Sequence, residues 1–286
     1  MKMAVIGCGR MGGSMALSWK RAGIVDEVIA FGHNPATLQK ALDKGAADTV
    51  TTSMEEAVKD ADIVVSAVPV EAMESVFTEM APFLKSDAVV TDVGSTRQTV
   101  IAAARKGLGD KFPQYAPAHH IAGGELPGVA YASADLFDAK VVISTPDEGM
   151  DPKVVTFIEE AWRKAGARVQ AMSPLQHDLT FASVSHLPHV LAYALVDMIA
   201  REENAQEKLK MAGAGFRDFT RIASSSPVMW RDICLSNREA LSHELERYRA
   251  SLDTLQKYID ESDGKALESV FENAVRNRRG LVFPGK

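Results

Sequence analysis

The chain has 286 residues, 46% apolar and 24% charged, with a formal net charge of −6. This is the composition of a soluble globular protein with material for one large core or two ordinary ones. The acidic balance excludes general nucleic-acid binding, which needs a basic surface, and two distant cysteines, Cys8 and Cys234, exclude a disulfide framework.

The N-terminus enters "MAVIGCGRMGG" almost at once. It has no charged leader and no long apolar run, so no signal peptide is expected, and the cysteine usage suits the cytoplasm. A first strand, Lys2–Ile6, is followed by Gly7, Gly9 and Gly12 and by a helix beginning near Met11. The spacing fits the dinucleotide fingerprint: a tight turn, a close approach of pyrophosphate to backbone, and close helix–strand packing. Phosphate then lies at the helix N-terminus, beside Arg10 and Met11, where unpaired amides favour an anion. The second strand, Glu27–Phe31, ends in Gly32, His33 and Asn34. An NAD-specific fold usually carries an acid there for the ribose hydroxyls. Its absence favours NADP, with His33, Asn34 and Arg10 as donors to a 2′-phosphate, and leaves NAD possible.

Strand Ile63–Val68 ends in "AVP", which puts Val68 and Pro69 on the same rim, and strand Ala88–Asp92 ends in "DVGSTR". Ligands bind beyond the carboxyl ends of such strands, so Asp92, Gly94, Ser95 and Arg97 are expected at the nicotinamide. Ser95 has two open readings, an N-cap for the next helix or a hydroxyl in the cleft. A further strand is expected in "FPQYAPA", followed by His119 and His120. No metal-ligand set accompanies that pair, so no metal site is expected. A lone loop histidine is ordinarily structural, but an imidazole beside a nicotinamide can also take a hydroxyl proton. Strands Lys140–Ser144 and Arg168–Ala171 complete a strand–helix alternation that predicts a parallel sheet with helices on both faces.

From Ser173 onward the rhythm is helical only, which divides the chain into 1–172 and 173–286. "LPHVLAYALVDMIA" reads as a buried helix, too short to span a bilayer. In "ALSHELERYRASLDTLQKYI", Leu241, Leu245, Tyr248, Leu252, Leu255 and Ile259 form one apolar stripe. That stripe is either internal core or a face packed on a second copy; a homodimer through the helical half is expected.

Three phrases of the second half, "VSHLPHVLAYALVD", "GAGFRDFTRIASSSPVMWRDI" and "SNREALSHELERY", join "DVGST" and "HHIAGGE". Together they closely resemble the prephenate and arogenate dehydrogenases of tyrosine biosynthesis, across essentially the whole chain and in order. The resemblance implies a Rossmann-type domain followed by an all-helical dimerisation domain. The implied activity is NAD(P)-linked oxidative decarboxylation of a cyclohexadienol. It makes His119 the base, within an H-P-x-A-G phrase whose proline is His120 here, and Ser95 a partner of the same hydroxyl. It makes Arg221 the group for the substrate carboxylate and His189 a neighbour of the substrate side chain. Glu125 and Asp218 correspond to an ionic network at the cleft, and Arg97 replaces a family lysine. Trp230 is either substrate wall or core, and one of His186 and His189 is expected to be structural. No fused mutase or regulatory domain is expected in this length. His189 suits a keto acid and so points to prephenate, whereas an NADP preference points to arogenate. Two alternatives are a β-hydroxyacid dehydrogenase or imine reductase of similar build, and a dinucleotide sensor without catalysis. The first lacks its lysine-and-asparagine helix phrase here, and the second would not retain Ser95, His119 and Arg221 together.

Overall fold

A computed structural model describes residues 1–124 and 126–281. Its first part runs β1 (Lys2–Ile6), α1 (Arg10–Arg21), β2 (Glu27–Phe31), α2 (Pro35–Asp43), β3 (Thr49–Thr51), α3 (Met54–Val58), β4 (Ile63–Ser66), α4 (Met73–Met80), β5 (Val89–Asp92) and α5 (Gln98–Leu108). The strands form a parallel sheet in the order β3-β2-β1-β4-β5. Residues such as Val5, Ile6, Val64 and Val65 are fully buried, as a sheet covered on both faces requires. Strand order reverses between β1 and β4. There Ile6 pairs with Phe31 on one side and with Ser66 on the other, so the loops after β1, β2 and β4 share one rim. A crevice at that reversal is the ligand position of doubly wound sheets.

The chain then adds β6 (Ala118–His120), β7 (Val141–Ser144), α6 (Pro152–Lys164) and β8 (Arg168–Ala171). These form a separate three-stranded sheet in which β6 is antiparallel to β7 and β7 parallel to β8. A single parallel sheet was expected, and the structure corrects this. The strand expected in "FPQYAPA" is instead a 3₁₀ segment, Gly109–Gln114, with one bridge from Tyr115 to Val90. Pro113 and Pro117 bring no amide donors to a ladder, which delays the strand to Ala118. His119 and His120 therefore lie within β6, with side chains on opposite faces of it. The edge strand β3, three residues long, was not anticipated.

The remainder is helical: α7 (Pro174–Phe181), a π-helical turn (Ala182–His186), α8 (Leu187–Ala200), α9 (Ala205–Lys210), α10 (Ala214–Thr220), α11 (Pro227–Ser236), α12 (Arg238–Asp260) and α13 (Gly264–Gly280). Ser173 caps α7 by accepting from the amide of Gln176. The expectation of a buried α8 is not met, because Ala192 is its one fully buried residue. Residues Pro174–Ala200 run as a continuous helical stretch, long and apolar enough to cross a membrane by length and composition. Its buried face nevertheless carries His177, Asp178 and His186, all hydrogen-bonded into the fold. In α12 only Leu241 of the apolar stripe is buried; Leu252 and Ile259 are exposed.

The turn between β5 and α5 is fixed by a buried ion pair. Arg97 makes a bidentate contact with Asp92, Nη1 to Oδ2 at 3.1 Å and Nη2 to Oδ1 at 2.7 Å, and both side chains are fully buried. The hydroxyl of Tyr115 and the amide of Gly94 also donate to Asp92, and Arg97 Nε donates to the carbonyl of Thr96 at 2.9 Å. Asp92 and Arg97 thus lie beneath the rim rather than on it, because each finds its charge partner inside. Such a pair adds little over apolar neighbours, but breaking it strands a charge. Asp92→Ala is expected to lower stability by about 3–5 kcal/mol. Asp92→Ala combined with Arg97→Met should lose less, both read as urea unfolding midpoints.

Candidate active site

The glycine loop divides into structural and ligand-facing positions. Gly7 has φ +88°, and a Cβ there would meet the carbonyl oxygen of Ala67 at 2.8 Å. A Cβ on Gly12 would lie 2.8 Å from both the Gly7 oxygen and Val5 Cγ1. Gly9, by contrast, faces open space, with no atom within 4 Å of such a Cβ. Gly9 is also the N-cap of α1, and no side chain caps that end. This cradle fits a pyrophosphate against free helix amides. Met11 and Val68 pack at the edge of the core beside the loop, and Pro69 is exposed at the end of β4.

At the end of β2, Gly32 donates to the carbonyl of Thr51 at 3.4 Å. His33 is exposed, its ring edge-on to Phe31 at 5.2 Å. Asn34 uses Oδ1 to cap α2, accepting from Ala36 at 2.9 Å and Thr37 at 3.3 Å. Arg10 sends its guanidinium to the carbonyls of Leu126 at 3.2 Å and Gly123 at 3.4 Å. Of the three donors expected around a 2′-phosphate, Arg10 is therefore engaged elsewhere in this structure.

The two adjacent histidines have separate fates. His120 packs between Trp162 and Phe137, with centroids 4.3 Å and 5.3 Å away, and neither ring nitrogen has a partner. Burial pushes its pKa down to about 3, so it is a neutral core residue. His119 turns the other way and places Nδ1 2.7 Å from Nε2 of His177. His177 Nδ1 is 2.8 Å from Oδ1 of Asp178. Asp178 also accepts from the amides of Arg97 at 2.8 Å and Gln98 at 2.9 Å. It thereby caps α5 from the helical half, and Ser95 is not that cap. Ser95 lies half-buried in the β5–α5 loop. Burial opposes the charge on Asp178, but the bonds from His177 and the two amides outweigh it and hold its carboxyl below the ordinary range. Burial, reinforced by nearby His177, Arg97, His120 and His186, holds His119 neutral far below the usual histidine range.

On the helical side, His189 stacks on Trp230 with centroids 3.6 Å apart and planes at 20°. Its Nδ1 lies 2.9 Å from the carbonyl of Ser185, which makes it the donor and leaves Nε2 as acceptor. Trp230 is buried and Arg221, at the end of α10, is exposed. Arg221 is near enough for its charge to lower the pKa of His189, after the larger effect of burial. Asp218 is exposed and 3.7 Å from Arg217. Glu125 lies outside the described residues. His186 is the structural member of its pair, fully buried with Nδ1 3.1 Å from Asn237 Nδ2.

Sequence reasoning missed His177, Asp178 and Asn237. Asn237 Nδ2 donates to the carbonyl of Asp178 at 2.8 Å and so ties the start of α12 to the same point. The only signal was "SPLQHDL", a capped helix start carrying an adjacent histidine and acid. No ladder of spacing links that pair to His119. Among the described residues there is no cluster of His, Cys, Asp or Glu able to hold a metal.

A dinucleotide cradle, a neutral histidine in a dry polar network and an all-helical second domain define a two-domain nicotinamide-dependent dehydrogenase. The family models "Prephenate dehydrogenase, nucleotide-binding domain" and "Prephenate dehydrogenase, dimerization domain" match residues 15–171 and 173–273. The chain belongs to the prephenate dehydrogenase family. It is 35% identical to the cyclohexadienyl dehydrogenase of Zymomonas mobilis over 98% of this chain and 95% of that one. It is 34% identical to the prephenate dehydrogenase of Bacillus subtilis over 98% of this chain and 76% of the relative. The solved prephenate dehydrogenase of Aquifex aeolicus, in complex with hydroxyphenyl propionate and NAD+, superimposes with a TM-score of 0.90 at 35% identity, covering 98% of both chains. The Synechocystis arogenate dehydrogenase gives a TM-score of 0.82 at 25% identity, covering 99% of this chain and 100% of that one.

The open space at Gly9 generates a test of the cradle. Gly9→Val should leave the thermal midpoint near that of the parent while weakening dinucleotide binding at least ~10-fold, because the branched side chain fills the pyrophosphate position. Quenching of intrinsic fluorescence by added dinucleotide measures the loss.

Proposed function

We propose that the chain oxidatively decarboxylates prephenate, arogenate or both, with NAD(P)+ as acceptor. The observation that carries this is His119, neutral and held by a hydrogen-bond chain, in a family member whose dinucleotide cradle is intact. A bound nicotinamide would supply the hydride acceptor. Arg221 makes charge-assisted hydrogen bonds to the ring carboxylate and fixes the ring's orientation. Ser95 and His119 hold the hydroxyl, and His119 takes its proton. As the hydroxyl carbon becomes a carbonyl carbon, the bond to the ring carboxylate breaks. Its electron pair moves through the ring to the carbonyl oxygen, carbon dioxide leaves, and that oxygen takes back the proton from His119 to give an aromatic phenol. His189, stacked on Trp230, faces the substrate side chain with its accepting nitrogen. Asp218 serves the charge balance of the site, and the same role is proposed for Glu125.

For the cofactor we favour NADP, because no carboxylate closes the end of β2 against a 2′-phosphate and His33 stands exposed there. The protein acts as a homodimer through its helical half. Supporting this, α13 exposes Val270, Phe271 and Val275, and a groove of about 840 Å³ runs along Leu267, Phe271 and Val275. Contiguous apolar surface of this kind marks an association site, and the family model of that half is described as a dimerization domain. The exposed residues of α8 and the far end of the α12 stripe are covered by the same association.

His119→Asn is expected to lower kcat by ~10²–10⁴, the ordinary worth of a general base, with KM little changed. Arg221→Gln should chiefly raise KM for the cyclohexadienol. Steady-state kinetics separates the two, and an unchanged kcat in the first variant would remove His119 from its role. Because the pKa of His119 is lowered, the neutral base persists as pH falls through the ordinary histidine value of 6.5. The acid limb of kcat/KM should therefore lie below that value.

A further inference from the structure

A general base must present a bare nitrogen, and an imidazole has two candidates that interconvert freely unless something fixes the proton. In this protein the fixing groups can be traced bond by bond. Asp178 is ionised and acceptor-only, engaged by the amides of Arg97 and Gln98, so the ring nitrogen facing its Oδ1 must carry a proton. That nitrogen is Nδ1 of His177. A neutral His177 then has no proton on Nε2, and Nε2 must accept from Nδ1 of His119 across 2.7 Å. Phe181 closes one side of both rings, at 4.9 Å from His119 and 4.4 Å from His177, and prevents rotation out of line. His177 is fully buried, so water does not compete for its nitrogens.

We infer that His177 and Asp178 are positioning residues for the reaction proposed above: they fix the proton of His119 on Nδ1 and leave its Nε2 bare toward the substrate hydroxyl. This rests on that reading only for the identity of the hydroxyl. The same chain also disperses charge. When Nε2 of His119 gains the hydroxyl proton, the O–H bond breaks and an N–H bond forms. The Nδ1 proton of His119 can pass to Nε2 of His177. The positive charge then rests on His177, beside the Asp178 carboxylate. The ring pair resets when His177 returns that proton and His119 gives its Nε2 proton to the oxygen that becomes the phenol hydroxyl as carbon dioxide leaves.

The charged and titratable groups facing the pair come from several elements. Around His119 they are His177, Arg97, His120 and His186; around His177 they are Asp178, Arg97 and Asp92. Arg97 and the neighbouring imidazoles disfavour a proton on the pair, whereas Asp178 and Asp92 favour one on His177. Protonating His177 would make its Nε2 a donor, turn His119 Nδ1 into an acceptor and place the remaining proton on Nε2. The base is then lost without being titrated itself.

The test begins with the unaltered protein labelled with ¹⁵N-histidine. Long-range nitrogen–proton correlation reads which ring nitrogens carry protons, and His119→Asn and His177→Phe assign the signals. The expected result is Nδ1–H with bare Nε2 on both rings; a proton on Nε2 of His119 overturns the proposal. In kinetics, His177→Phe should lower kcat at least ~10-fold, up to the ~10²–10⁴ that the base is worth. KM and dinucleotide binding should hold within about threefold. His177→Gln, which keeps an acceptor but cannot carry charge, should recover part of that loss. Equal kcat in His177→Phe and the parent overturns the assignment, as does a parallel loss of kcat, binding and thermal midpoint that Gln does not relieve. The tautomer measurement needs only folded protein. A failure of the proposed reaction would leave it standing, and a wrong tautomer would leave the reaction standing.

Discussion

The carboxylate of Asp178 is the point on which the site depends. It closes the amide end of α5 through Arg97 and Gln98, orients His177, and offers its backbone carbonyl to Asn237. One residue of the helical half therefore sets the start of a Rossmann-domain helix and the proton position of a histidine in the second sheet. A carboxylate at a helix N-terminus is favourable through both the free amides and the dipole. Held in this way it stays ionised despite burial, and an ionised Asp178 is what gives the histidine chain its direction. Beneath it the Asp92–Arg97–Tyr115 cluster fixes the same turn from the opposite side. Ser95 is carried between these two anchors.

The dry setting explains why the histidines are useful rather than merely buried. Away from water an imidazolium is costly, so His119, His177, His186 and His189 all have lowered pKa values, in each case chiefly through burial. A proton acceptor that is neutral at physiological pH is the form a dehydrogenase needs. Specific contacts then divide the work. Asn237 holds His186 in the packing, the carbonyl of Ser185 and the face of Trp230 orient His189, and His177 orients His119. His120, one residue from His119, falls on the other face of β6 and enters the core against Trp162.

Much of this was legible in the chain itself. The β-branched runs at Lys2–Ile6, Glu27–Phe31 and Arg168–Ala171 coincide with strands of the structure. Gly7 and Gly9 lie in the turn between β1 and α1 and Gly12 in the first turn of α1, and each has a distinct local requirement. What escaped was tertiary. Ser95 sits where local rules put an N-cap, but the cap comes from Asp178, 81 residues from Arg97. Arg97, after "DVGST", and Asp92, which opens it, read as rim residues because sequence gives their position at the end of β5 and in the following turn but not the direction of their side chains. "FPQYAPA" was expected to be a strand, and its prolines decided otherwise. The apolar content of α8 read as burial within the chain, yet Ala192 is its one fully buried residue, and hydropathy does not say what an apolar helix packs against.

The most direct test of the account is coupled stoichiometry. Reduced dinucleotide and carbon dioxide would be followed together, with prephenate and with arogenate, each offered NAD+ and NADP+. One carbon dioxide released per dinucleotide reduced, with at least one substrate, is the expected result. Folded, dinucleotide-binding protein that produces neither with any pairing would contradict it.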